Sequence, residues 1–345
     1  MRNSRRWVPA FIAAALLATS CSDNTTPAVA TSPAGTPAPV HAGPAKCPLT
    51  GRSPRKGVDV QRPAVAVKIE NSTEARPQSG LDHADVVFEE LVEGGITRFA
   101  AIFQCDGVKK AGPVRSARFD DPDFIRPVTR ALAFAGANAI VTRSLTKHHM
   151  MLFTDLNDSQ ALYRVPPGNT SEHSLFANVT MLLKQAAAKH VHAPAENLFQ
   201  FGRPSTAIKR AKKVDLKFED SSVAEPIQWR WHKGSWQRYE SGQPFMAADG
   251  HQISAPNVLI QRVNVKLSTM LVDVAGNPSP RITFSGHGNA LLFRHRGVIK
   301  GRWKRRQHRF IYMTRGGKPL MFAPGPIWIE LVPSDKGPIK GAVSF

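Results

Sequence analysis

Residues 63–104 read PAVAVKIENSTEARPQSGLDHADVVFEELVEGGITRFAAIFQ. Three runs within it, Pro63 to Ile69, Asp85 to Leu91 and Thr97 to Gln104, are rich in Val, Ile and Phe and are bounded by Gly, Pro and Asn. That is the composition and punctuation of strands. The following CDGVKK carries an Asp106-Gly107 pair, which predicts a hairpin returning the chain into AGPV. Asp121 before Pro122 predicts an N-cap with proline in the first turn, opening a helix toward Phe134 that Pro127 must kink or restart. ALAFAGANAIV predicts a further buried strand, and NVTMLLKQAAAKH (Asn178 to His190) has the period and alanine content of a helix. Strands interleaved with helices predict an α/β or α+β N-terminal domain over 46–210.

The character changes after the basic connector RPSTAIKRAKKVDLKF. From Val214 onward the chain consists of short alternating runs separated by Gly, Pro and Asn turns, such as IQWRWHKGSWQRYESGQPF and RFIYMTRGGKPLMFAPGPIWIELVP. They predict a smaller, mostly β C-terminal domain over 214–345, a sandwich or an open barrel. The remaining residues lie before Lys46. Arg2, Arg5 and Arg6 precede an uncharged apolar run and then LLATSCS, so 1–20 reads as an export signal, too short for a stable membrane span. The motif matches the bacterial lipobox, which makes Cys21 the lipidated residue. Residues 21–45 are dominated by Pro, Thr, Ala and Ser and predict a stalk that cannot repay the entropy of folding.

Export decides how the other features are read. The two remaining cysteines, Cys47 and Cys105, would sit where disulfides persist, and a bridge between them is expected. The formal net charge of +20 would point to nucleic acid in a cytoplasmic chain. Outside the membrane the polyanions within reach are phospholipid head groups, wall polymers and lipid-linked phosphates, and no nucleic-acid partner is expected. The run Arg294 to Arg309 contains eight Lys or Arg and no acid. It is either a solvated face or a contact with anionic lipid or wall polymer.

The densest polar chemistry lies around the opening stretch. Asp85, Glu89, Glu90 and Glu93 are close in sequence to Arg76 and Arg98. On a strand Asp85 and Glu89 share one face and Glu90 takes the other. Then GPVRSAR places Arg115 and Arg118 after a Gly-Pro step, with Asp120 and Asp121 behind. In a helical turn, which the Gly-Pro step favours, the two arginines would share a face and could grip a carboxylate or phosphate bidentately. Arg76, Arg98, Arg115 and Arg118 are therefore the anion-binding candidates. Asp85, Glu89, Glu90 and Asp120 are their acidic partners or ligands for a divalent cation such as Mg that would bridge a phosphate. Structural ion pairing explains the same residues equally well.

Catalytic templates are absent: there is no GxSxG, HExxH or GxxxxGK[ST]. His148, His149, His190, His192 and His287 lack a set of metal partners, and Ser116 has no identifiable base. No cofactor is called for.

Taken together, AVKIENSTEARPQSGLDHADVVFEELVEGGITRFAAIFQ, GPVRSAR and GKPLMFAPGPIWIELVP resemble the YerB-like bacterial lipoproteins, a family catalogued as a domain of unknown function. The resemblance implies a two-domain surface lipoprotein on the outer face of the cytoplasmic membrane. Members carry a PHNLY-like segment; SEHSLFAN stands in its place here and keeps His173 as a loop candidate. A fainter likeness to the LytR-CpsA-Psr transferases concerns arrangement alone. It would cast Arg115 and Arg118 as phosphate clamps and Asp85 as a metal ligand. The reading is a non-catalytic envelope binding or scaffold protein with an arginine-rich anion site; the alternative is an enzyme or carrier for lipid-linked polyprenyl phosphate glycans.

Overall fold

The computed structural model describes residues 45–157, 160–195, 197–219, 225–273 and 276–345. The export signal, Cys21 and nearly all of the stalk lie outside the described residues. The main sheet takes ten strands in chain order: Val65–Glu70 (β1), Val86–Leu91 (β2), Thr97–Phe103 (β3), Ala131–Ala133 (β4), Met151–Phe153 (β5), Asn257–Gln261 (β6), His287–Arg294 (β7), Gly297–Arg306 (β8), Arg309–Thr314 (β9) and Ile327–Glu330 (β10). The short strand Lys209–Arg210 adds to β8 at one edge. Every residue of β1, β2 and β3 is buried, as strands covered on both faces require. β2 and β3 are antiparallel, joined through Gly94 and Gly95 at φ 73° and 75°, a left-handed turn that glycine adopts without strain.

The spatial order is β9-β8-β7-β6-β10-β2-β3-β1-β4-β5. β10 comes from the far end of the chain and runs parallel to β2 on one edge and to β6 on the other. The two regions separated in the sequence therefore meet edge to edge in one sheet, and Gly43–Phe345 packs as one compact unit. A second sheet of six strands is built mainly from Lys213–Lys217, Ile227–His232 and Ser235–Glu240, with Ala342–Ser344 at one side. It packs against the main sheet through Trp229, whose ring lies 5.1 Å from that of Trp328 on β10.

Strands outnumber helices throughout. Asp121–Ile125 (α1) is a short helix with Pro122 in its first turn; Asp121 is its first residue, with Asp120 before it. Val179–Ala188 (α3) forms where the alanine-rich run predicts it, its N-terminus capped by the Asn178 side chain, which accepts the Met181 N–H. Three expectations are corrected. The helix that opens at Asp121 stops at Ile125 and does not run toward Phe134, since Ala131–Ala133 is already strand. The Asp106-Gly107 pair makes no hairpin with β3: AGPV instead bridges Ser79, Ala177 and Ile69. ALAFAGANAIV is strand only through Ala133; past Gly136 at φ 76°, Ala139–Lys147 (α2) begins, with Asn138 capping Val141.

The Cys47–Cys105 disulfide is present, tying the start of the folded unit to the end of β3 across a sequence separation of 58. A loop of this size constrains the unfolded chain by about 4 kcal/mol in the chain-entropy account. The Cys47→Ser, Cys105→Ser variant should therefore unfold in urea with a free energy lower by about 2–4 kcal/mol; an unchanged midpoint would show that the bridge contributes nothing.

Candidate functional site

Alternation along β1, β2 and β3 sorts their charges onto the two faces of the sheet. Glu70, Arg98 and Glu90 stand side by side in register on one face, with Lys68 two residues before Glu70. Glu89 takes the opposite face, as the sequence implies.

The Glu89 face meets the second sheet at a buried cluster. Arg238 is fully buried and lies 2.8 Å from Glu89, 2.8 Å from Glu240 and 3.5 Å from Glu330. The rings of Phe245, Trp328, Phe99 and Trp229 surround its guanidinium at 4.7–5.8 Å. The indole of Trp229 donates to Glu330 at 2.7 Å, and that of Trp328 to Glu89 at 3.2 Å. Burial foremost, then the charge of Glu89, pushes the Glu330 carboxyl well above its usual range. Arg76 sits at the rim of this cluster, 2.8 Å from Glu240 and 2.9 Å from Glu225. It does not line the cleft that holds the other three candidate arginines.

On the opposite face the buried Lys68 ammonium bonds Glu90 and, at 2.7 Å, Asp121. Burial pushes Glu90 up to about 7 against the pull of Lys68. The second Asp121 oxygen accepts the Arg118 N–H at 2.7 Å, so this network anchors GPVRSAR from beneath. The segment itself is not the expected helical turn. It threads as irregular chain between β1 and residues 135–136: the Arg115 N–H donates to the Lys68 carbonyl, and the Ala135 and Ala117 N–H groups donate to the carbonyls of Arg115 and Gly136.

Arg98, Arg115 and Arg118 nonetheless converge. They line one cleft of about 530 Å³, closed on another side by Gly136, Ala137 and Asn138, which lead into α2. Arg115 is held by Glu70 at 2.9 Å and Glu172 at 2.5 Å. Arg118 is held by Glu93, whose other oxygen accepts the Ser279 hydroxyl at 2.5 Å. Arg98 differs. It is 4% exposed, donates to the Ser116 carbonyl at 3.0 Å, leaves its Nε without a partner, and has no carboxylate within ion-pair distance among the described residues. Both acids beside it in register are taken: Glu90 by Lys68, and Glu70 by Arg115 and by His173 at 2.9 Å. Burial, chiefly, and the adjacent charge of Arg118 push Arg98 down to about 9, which still leaves it cationic at neutral pH.

Of the candidate acids only Glu90 stands beside these arginines, and Lys68 holds it. Asp85 lies at the disulfide end of β3, where one oxygen accepts the Gln104 and Cys105 N–H groups at 2.5 and 3.0 Å. Asp120 accepts from Arg281 at 3.0 Å and the Ile282 N–H at 2.6 Å. His173 enters only behind Glu70, its other ring nitrogen 3.7 Å from Glu172. Among the described residues, Asp82, His83 and Asp249 have ligand atoms within 4.8 Å of one another, at the surface and outside the cleft. Lys68, Arg238, Glu70 and Glu172 do not stand out in the sequence as site residues. A lone lysine inside the apolar run PAVAVKI was the available signal for the first.

The family profile described as the N-terminal domain of a protein of unknown function (DUF3048) matches residues 49–192, and that of the C-terminal domain matches 214–329. The chain is 30% identical over 294 residues to YerB of Bacillus subtilis (strain 168), named as a candidate lipoprotein, covering 84% of this chain and 86% of that protein. The crystal structure of YerB from Bacillus subtilis aligns with a TM-score of 0.71 at 27% identity, covering 87% of this chain and 100% of that one.

The position of Asp85 makes a pH prediction. Burial, the dominant cause, pushes its carboxyl up to about 7 from 3.8, so between those values the native state holds a proton that the unfolded chain has released. Stability contributed by this group therefore falls as pH rises through that window. The side-chain carbonyl of an asparagine at this position can accept both N–H groups without titrating. Asp85→Asn should gain on the parent by about 2–3 kcal/mol between pH 5 and pH 8, read from urea midpoints; a constant difference across pH would refute the assignment.

Proposed function

The chain belongs to the DUF3048 family, and from that premise we propose that it is a membrane-tethered envelope lipoprotein that binds an anionic group in the cleft of Arg98, Arg115 and Arg118. Arg98 carries the reading. A buried guanidinium without a counter-ion costs stability, and an anion entering the cleft would supply the missing partner. The positive end of the α2 dipole lies beside the same cleft and favours the same occupant. Arg115 and Arg118 flank the cleft already oriented by Glu70, Glu172 and Glu93. Those acids offset their charge, so the fit is to a compact group with several oxygens, such as a phosphate or pyrophosphate, that satisfies Arg98 first. Ser116 lines the same cleft, while the His173 imidazole is engaged by Glu70 and Glu172. The reading is accordingly of binding and carries no reaction.

Thermal melts and calorimetry with inorganic phosphate and pyrophosphate test it. The parent should melt higher as either anion is added. Arg98→Met should be more stable than the parent without anion, by about 1 kcal/mol or more, and should not respond to anions. The Arg115→Lys, Arg118→Lys variant should bind about tenfold more weakly, because an ammonium lacks the planar fork. A parent indifferent to both anions, with Arg98→Met less stable than it, would make Arg98 a structural residue.

A further inference from the structure

The acid-free run singled out in the sequence lies on β8 and β9, at the opposite end of the strand order from β5. No Asp or Glu occurs from Val274 to Ile329. Along β8 the residues alternate, with Gly301 and Trp303 buried and Lys300, Arg302, Lys304 and Arg306 exposed. Register places Arg309 opposite Arg306, Ile311 opposite Lys304 and Lys209 opposite Val298. Strand alternation thus gathers Lys209, Lys300, Arg302, Lys304, Arg306 and Arg309 on one side of this edge. None of the six has a carboxylate within ion-pair distance among the described residues. Ile311, 38% exposed, lies among them.

One or two charges suffice to protect a sheet edge from pairing with another chain. Six on one face, with an apolar residue between them, exceed that need. We infer that this face docks on the anionic phospholipid head groups of the membrane to which the chain is attached. The inference rests on the lipoprotein reading and is independent of the anion cleft. Whatever conformation residues 22–44 adopt, they span about 80 Å at full extension, so lipid attachment at Cys21 would keep the face within reach of the bilayer. Tethering makes docking effectively intramolecular, so a weak patch is enough. Lipid anchors characteristically act with such a basic patch as the second membrane signal.

Vesicle flotation of the folded unit Gly43–Phe345, whose core and disulfide are complete within it, tests the face apart from any lipid anchor. The unit should float with vesicles containing phosphatidylglycerol and not with phosphatidylcholine alone, and added salt should release it. Lys300→Gln, Arg302→Gln, Lys304→Gln should bind about a hundredfold more weakly, near fivefold per charge. A control losing three exposed cations on α2 and α3, Arg143→Gln, Lys147→Gln, Lys184→Gln, should keep most of the affinity, and Arg98→Met all of it. Equal losses in the two triple variants would reduce the effect to net charge. Loss in Arg98→Met would assign head-group binding to the cleft. Binding to isolated anionic wall polymer with none to phosphatidylglycerol vesicles would make the polymer the partner. Each of these outcomes overturns the inference.

Discussion

β10 is hydrogen-bonded along both edges, to β2 from the first half of the chain and to β6 from the second, and everything else is arranged around that insertion. Its last residue, Glu330, is buried beside Glu89 of β2, and both carboxylates face Arg238 from the second sheet. Three carboxylates around one guanidinium would leave a buried negative excess. Burial pushes the Glu330 pKa upward, which favours its neutral form and so reduces that excess, and the indoles of Trp229 and Trp328 donate to Glu330 and Glu89. A network of this kind is weak evidence for net stability, because apolar residues of equal volume can do as well. Its value here is positional. A shift of β10 by one residue would turn Glu330 to the other face and separate it from Arg238.

The strands of the opening stretch were legible because their apolar residues are nearly continuous and their turns are marked by Gly, Pro and Asn. The helix after Asn178 was legible for a similar reason: period, alanine content and a capping side chain agree there. The pairing of β2 with β10, 240 or so residues apart, was not. Nothing local in IWIE says which strand it will adjoin. The Asp-Gly pair at 106–107 misled because a hairpin needs a second strand free to pair, and the next segment is claimed by Ser79, Ala177 and Ile69. The second half reads as β throughout, but composition does not say that its strands divide between two sheets.

At the site, residue types were more legible than groupings. Arg98, Arg115 and Arg118 share a cleft although the chain around them is not the helical turn that would have put two of them on one face. Arg76 lies near Arg98 in sequence but goes to the Glu240 cluster, because the loop after β1 carries it to the second sheet. Asp85 and Asp120 satisfy backbone N–H groups. Short acidic side chains at strand and helix ends often do this, and sequence spacing does not separate such a role from metal binding.

The lack of a counter-ion at Arg98 is itself a product of the layers beneath it. Register sets Arg98 between Glu70 and Glu90, either of which would neutralise it in a two-strand ribbon. Lys68 removes Glu90: fully buried, it must have carboxylates, and it takes Glu90 together with Asp121. Asp121 in turn fixes the backbone at Arg118, which brings the crossing segment over the sheet and lets Arg115 and His173 take Glu70. The acids of this face are thus committed in sequence, and the cation left over is the one at the floor of the cleft. Neutralising Lys68 would be expected to release Glu90 toward Arg98 and close the proposed anion site from below, which makes a residue remote from the cleft surface the one on which the charge of the cleft depends.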